Sequence, residues 1–270
     1  MKQTILTAKQ NELLENLIAK YGQIVIAEQI YAEYQGSEDQ RQAKKVIAKL
    51  VNHGWLMRIR RGLYAISDFS NRGFLSLSPY LVANLFVKKS YVSFESALAY
   101  HGMFDQLTST VISISKMQYK TVQLNATEYS FVNVKDQFFF GWQEIMIDGR
   151  IARIATAEKA LIDIIHFHKS KYSVDLVIEK LQEYRESLDI EKLCEYISKM
   201  STTTIKIFGF ILDLLHIDSN TLYESVKTKH STHWMLVGDK KFNAKWRLYY
   251  DEYFDKYQPV KKAYDYPSTT

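Results

Sequence analysis

One cysteine, three prolines and ten glycines are spread over 270 residues, and each scarcity removes a class of answer. With Cys194 alone, neither an intramolecular disulfide nor a cysteine-based zinc site can form, so the reducing cytoplasm is the expected compartment. So few glycines and prolines leave no long disordered linker. Phosphate-cradling glycine loops and glycine–serine nucleophile elbows are also missing, so no catalytic residue and no cofactor is expected. The most apolar run, IKIFGFILDLLHI at 205–217, is too short for a bilayer and holds Lys206 and Asp213; it reads as a buried helix, and no membrane partner is expected. The opening MKQTILTAKQNELLENL has no apolar stretch after its lysine to make a signal peptide.

Charge of one sign is present, but only in one place. The formal net charge is +5. Between residues 36 and 64, Arg41, Lys44, Lys45, Lys49, Arg58, Arg60 and Arg61 stand against Glu38 and Asp39 alone, so this stretch carries the whole excess and the rest of the chain balances. A localised basic patch on a neutral body is the electrostatic footprint of a nucleic-acid binder.

The local patterns around that patch form an ordered series. Apolar residues at three- and four-residue spacing from Thr7 predict a helix closing at Tyr21-Gly22, and IVIAEQIYAEY (24–34) predicts a second, short helix after an extended pair at Ile24 and Val25. A third helix is framed by a capping box of Ser37 and Gln40 and by Gly54 as a left-handed end residue. Its stripe is Ala43, Val46, Ile47, Leu50 and Val51, and the opposite face carries Arg41, Lys45, Ala48, Lys49 and Asn52. WLMRIRRGLYAI (55–66) then predicts two alternating strands turning at Arg60, Arg61 and Gly62, with Arg58 and Arg60 on one face and Met57 and Ile59 on the other. Helix, short helix, basic helix and basic hairpin is the order of a winged helix-turn-helix, whose third helix enters the major groove while the hairpin lies along the backbone or the minor groove.

Past Asp68 a serine-rich connector leads to a helix begun by Pro79, then to a helix of SYVSFESALAYHGM (90–103) with Ser93 as its N-cap. Short β-branched segments follow at 110–116, 121–125, 129–135, 144–149 and 150–156, with Asp148-Gly149 as a hairpin turn. Thr156 caps a further helix, residues 173–228 read as about four helices, and the last forty residues hold two possible strands in HWMLVGD and KWRLYYDE. The expected fold is α+β: a winged helix-turn-helix over 1–72, then a larger α+β domain over 73–270 with a mixed or antiparallel sheet and a helical C-terminal part.

Other constellations are weak. Cys194 sits on an apolar helix face as a buried, inert thiol. His166 and His168 with Asp163 are the best metal candidate, but their spacing turns the two rings about 200° apart on a helix, so no metal site is expected. His230 and His233 have no better claim. Glu144, Asp148, Glu158 and Lys159 have the wrong spacing for a nuclease set and read as salt-bridged surface charge, and Asp251, Glu252 and Asp255 as a solvated face.

Three segments in order, GWLMRIRRGLYAI (54–66), YVSFESALAYHGM (91–103) and VNVKDQFFFGWQEIMIDGRIARIATAEKALIDII (132–165), resemble AbiEi-type antitoxins, the transcriptional regulators of abortive-infection toxin–antitoxin operons. The resemblance covers about residues 7 to 170. It implies a winged-helix domain binding double-stranded DNA at inverted repeats in its own promoter. It also implies a C-terminal domain that counteracts a nucleotidyltransferase toxin without a stable complex. The DNA-binding set is then Ser37, Gln40, Arg41, Lys44, Lys45, Lys49, Arg58, Arg60 and Arg61. The competing readings of the larger domain are an enzyme and a small-molecule sensor.

Overall fold

The computed structural model describes residues 6–34, 40–68, 73, 76–106 and 108–258. Helix α1 (Ala8–Tyr21) opens on a reciprocal cap: the Gln10 amide donates to Thr7 Oγ1 and the Thr7 amide to Gln10 Oε1. Its Leu13, Leu14 and Leu17 are buried with Val25 of β1 (Ile24–Ile26), Ile30 of α2 (Ala27–Glu33), and Ile47 and Leu50 of α3 (Gln40–Asn52). The Ser37–Gln40 cap expected at the start of α3 lies outside the described residues. At its other end Trp55 N donates to Leu50 O and Gly54 N to Val51 O, with Gly54 at φ +75°, the Schellman closure that the glycine predicts.

Strands β2 (Leu56–Arg60) and β3 (Leu63–Ile66) form the wing, with Gly62 at φ +74° in the turn. β1 pairs with β3, so the small sheet runs β1-β3-β2 and ties the hairpin to the two-helix motif. This is a winged helix-turn-helix. One detail departs from strict alternation: Arg58 stands opposite Tyr64 and Arg60 opposite Leu63, so β2 carries an extra residue between them. Such a bulge re-aims the side chains beyond it.

The chain packs as two compact units. The first takes in the winged helix together with Thr108–Asn133 and Glu144–Arg153; the second takes Ser93–Leu107, Val134–Gln143 and the chain from Ile154. Residues 69–72 and 74–75, around the expected boundary at 72/73, lie outside the described residues. In the first unit, α4 (Pro79–Phe86) adjoins a mixed sheet ordered β6-β7-β5-β4-β9-β8. Its strands are β4 (Ser90–Val92), β5 (Thr110–Ser115), β6 (Val122–Leu124), β7 (Thr127–Asn133), β8 (Trp142–Ile147) and β9 (Arg150–Ala155), the last two running on into the second unit. β5 and β7 are parallel, while β4–β5 and β6–β7 are antiparallel. Asp148, at φ +50°, supplies the hairpin turn with Gly149, and its carboxylate accepts the Ser78 amide at 2.6 Å.

The second unit holds α5 (Phe94–Tyr100), α6 (Ala157–Phe167), α7 (Lys171–Glu183), α8 (Ile190–Ser198), α9 (Thr202–Leu214) and α10 (Asn220–Val226). It also holds a three-stranded sheet ordered β10-β12-β11, from β10 (His233–Trp234), β11 (Lys241–Asn243) and β12 (Leu248–Tyr250). The two strands expected near the end are thus shorter than their sequence segments, and β11 falls between them in the sequence but at the sheet edge. Among the described residues no helix is long and apolar enough to cross a membrane; α9 instead buries its apolar run, Lys206 included.

Gly209, in mid-α9, is required by packing. A Cβ there would overlap the ring of Trp246, which is buried and donates from Nε1 to Asp213 Oδ2 at 2.7 Å. Helix propensity alone would make Gly209→Ala stabilising by about 1 kcal/mol. Overpacking reverses the sign, at about 1–3 kcal/mol destabilising. Thermal melts of Gly209→Ala should therefore show a lower Tm; a Tm equal to or above that of the unaltered protein would refute the tight fit.

Candidate nucleic-acid interface

The basic helix and the wing enclose a groove of about 770 Å³. Its floor is apolar, from Ile47, Val51, Tyr31 and Tyr64, and its rim carries Lys44 from α3 with Arg58 and Arg61 from the wing. Helical phase decides which α3 residues reach it. Arg41, Lys45, Ala48 and Asn52 share one exposed stripe, Lys44 flanks it on the groove side, and Lys49 flanks it on the other. The burial of Ala43, Ile47 and Leu50 against the core holds this phase.

Several cations elsewhere in the chain are neutralised by a carboxylate. Lys20, Lys171, Lys180 and Lys199 each pair with a carboxylate within 2.7–2.8 Å. Among the described residues, no carboxylate lies within ion-pair distance of Lys44, Lys45, Lys49, Arg58 or Arg61. Five like charges left without partners across one helix and one hairpin repel each other, and a polyanion relieves that repulsion.

The expected site set therefore divides. Lys44, Arg58 and Arg61 converge on the groove; Arg41, Lys45 and Lys49 are exposed on α3 beside it. Ser37 lies outside the described residues, as does the side chain of Gln40. Arg60 is a correction: it does not share an open face with Arg58. Past the bulge it is half-buried, and its Nε donates to the Leu85 carbonyl at 3.0 Å, holding the wing against α4. Sequence reasoning missed Glu28, Tyr31 and Tyr64, which also line the groove. Glu28 and Tyr31 are three apart on α2, and Tyr64 faces Arg58 across the hairpin, so phasing α2 and the register would have found them. Burial, with the charges of Tyr64 and Glu28, raises the Tyr31 phenol above its ordinary range and keeps it a neutral donor.

The weaker constellations resolve differently. The Glu158–Lys159 pair is a second correction, because both are buried instead of lying on the surface. Glu158 pairs with Lys192 at 3.1 Å and accepts the Asp189 amide at 3.2 Å. Lys159 pairs with Asp163, itself wholly buried, and Asp163 accepts the Ser93 hydroxyl at 2.7 Å. Ser93 occupies the N-cap position of α5 without making a side-chain cap. His166 bonds Thr204 Oγ1 at 2.7 Å, and burial with the Lys159 and Lys169 charges lowers its imidazole to about 4; His168 stacks on Phe94 at 4.2 Å. The structure brings neither ring to a point shared with Asp163. Glu144 pairs with Arg153, Asp251 with Lys171 and Asp255 with Lys241; Cys194 is half-buried, not buried as its helix face predicts.

No family model matches the sequence, and no curated protein does. Among solved structures, the RV2827C protein from Mycobacterium tuberculosis has a similar fold: TM-score 0.64 over 90% of this chain and 92% of that chain, at 14% identity. At that identity the likeness speaks for the fold alone.

Proposed function

We propose that the chain is a DNA-binding transcriptional autorepressor and the antitoxin of an abortive-infection toxin–antitoxin operon, acting in the cytoplasm on an inverted repeat in its own promoter. The observation that carries the DNA-binding half is the groove between α3 and the wing, rimmed by Lys44, Arg58 and Arg61 without carboxylate partners. In a winged helix, α3 presents Arg41, Lys44 and Lys45 to the major groove, and Arg58 and Arg61 reach the flanking backbone or minor groove. The antitoxin half rests on the resemblance of residues 54–66, 91–103 and 132–165 to AbiEi-type regulators. Antagonism of a nucleotidyltransferase toxin then needs no stable complex.

One experiment reads both halves. The chain is expressed in trans in cells carrying its own upstream region fused to a reporter, with the reading frame next to its gene, the toxin under this proposal, under separate control. Repression of the reporter and rescue of growth are the expected results. An unchanged reporter removes the repressor reading; repression without rescue removes the antitoxin reading and keeps the DNA-binding one.

A further inference from the structure

The C-terminal sheet displays an aromatic row outside the winged helix. Trp234 of β10 stands opposite Tyr249 of β12, which stands opposite Phe242 of β11. The Trp234 and Tyr249 rings lie 5.2 Å apart at 14°, and Phe242 and Tyr249 5.0 Å apart at 50°. Nearly parallel rings at about the strand spacing overlap face to face, so they stand up from the sheet instead of lying flat on it. β10 is an edge strand, so the Trp234 face turned away from Tyr249 has no strand beyond it. Trp234 is 51% and Phe242 45% exposed, whereas Leu248 and Tyr250, on the other face of β12, are buried. A contiguous exposed row of this kind marks a contact surface.

Charge at the start of β10 says what kind of contact. The His233 amide donates to the Arg247 carbonyl at 3.0 Å, which puts Arg247 beside the strand. Buried Lys206 donates from Nζ to the Ser231 carbonyl, and Lys229 reaches Thr202 Oγ1 at 3.1 Å. Burial, then the charges of Lys206, Lys169 and Lys229, push the His233 imidazole down; burial, then Arg247 and Lys229, do the same to the Lys206 ammonium. Lys169 is partly offset by Asp239. Among the described residues neither Arg247 nor Lys229 has a carboxylate within ion-pair distance. An apolar protein partner would leave these cations desolvated and uncompensated, whereas a polyanion neutralises them.

We propose that this sheet face binds single-stranded nucleic acid, one unpaired base stacking on the open face of Trp234 and the adjoining phosphates meeting Arg247 and Lys229. The stack tolerates any sequence because every base has a π face, and an intact duplex offers none along its length. That separates this surface from the α3–wing groove.

The test uses the full chain with Lys44, Arg58 and Arg61 replaced by alanine, so the groove contributes little. It is titrated at low salt with fluorescein-labelled oligo(dT) and oligo(U) of about eight nucleotides. Binding with quenched tryptophan emission is expected. Trp234→Ala weakens it about ten-fold, while Trp234→Phe retains most of it. Arg247→Ala with Lys229→Ala flattens the log–log salt dependence by about 1.4, at about 0.7 per phosphate on a single strand. Trp234 is half-exposed, so a melting temperature matching the parent certifies the fold of each variant. The proposal is overturned if neither oligonucleotide binds, or if binding survives Trp234→Ala and the Arg247/Lys229 pair unchanged.

Discussion

Replacing Lys44, Arg58 and Arg61 together by alanine is expected to weaken binding to the operator duplex proposed above by at least 100-fold while leaving the fold intact. The reasoning starts from charge. A protein neutralising about six phosphates on duplex DNA shows a log–log salt slope of about −5.4, at about 0.9 per phosphate. Removing three groove cations should bring that slope to about −2.7 if each meets a phosphate. A hydrogen bond to a charged group is worth about 1.5–3 kcal/mol net, and even about 1 kcal/mol each gives more than two orders of magnitude. Arg58 and Arg61 are exposed, and among the described residues none of the three has a carboxylate partner, so their loss strands no other buried group. Fluorescence anisotropy against salt is the measurement. Arg60→Ala is the internal contrast: it removes the bond to the Leu85 carbonyl, so it should lower Tm more than it changes the slope. If the triple variant keeps both affinity and slope, the groove is not where DNA sits.

That contrast shows where the sequence is readable and where it is not. The winged helix was legible because its signals are local: Gly54 and Gly62 stand where positive φ is needed, and the stripe of Ala43, Ile47 and Leu50 phases α3 within thirteen residues. The four C-terminal helices and the hairpin turn at Asp148-Gly149 were legible for the same reason. The role of Arg60 was not, because it depends on one extra residue in the β2–β3 register and on a carbonyl twenty-five positions away. β11 was hidden because three residues, Lys241–Asn243, carry too little alternation to stand out from a loop.

The hardest group to read was Glu158, Lys159 and Asp163. Charged residues at this spacing on a helix usually mark a solvated face, and no local pattern distinguishes a buried ion pair from an exposed one. What buries it is distant in sequence. Ser93 supplies a hydroxyl to Asp163 from seventy positions upstream, and Gly141 leaves room for the Lys159 stem, since a Cβ there would stand 2.8 Å from Lys159 Cγ. The Phe140 ring lies 4.8 Å from the Lys159 ammonium. The segments around Ser93, Gly141 and Lys159 are thus brought together in one core.

Asp163→Ala should accordingly be among the most damaging single substitutions in the chain. It removes a carboxylate partner from an ammonium with no exposed surface and leaves the Ser93 hydroxyl without its acceptor. Breaking a buried pair from one side costs about 3–5 kcal/mol, because the remaining charge keeps its desolvation penalty and loses its compensation. For a unit of this size that is a fall in Tm of about 6–20 °C. Replacing the whole set tests the cause. Lys159→Met with Asp163→Leu removes both charges at similar volume, and Ser93→Ala removes the orphaned hydroxyl, so the triple variant should recover most of the lost stability. A Tm for Asp163→Ala within a degree or two of the unaltered protein would show that the pair holds nothing. Failure of the triple to recover would mean that the cost does not come from the stranded ammonium. Because the pair lies in the second unit and the groove in the first, duplex binding by Asp163→Ala below its own Tm should keep the salt slope of the unaltered chain.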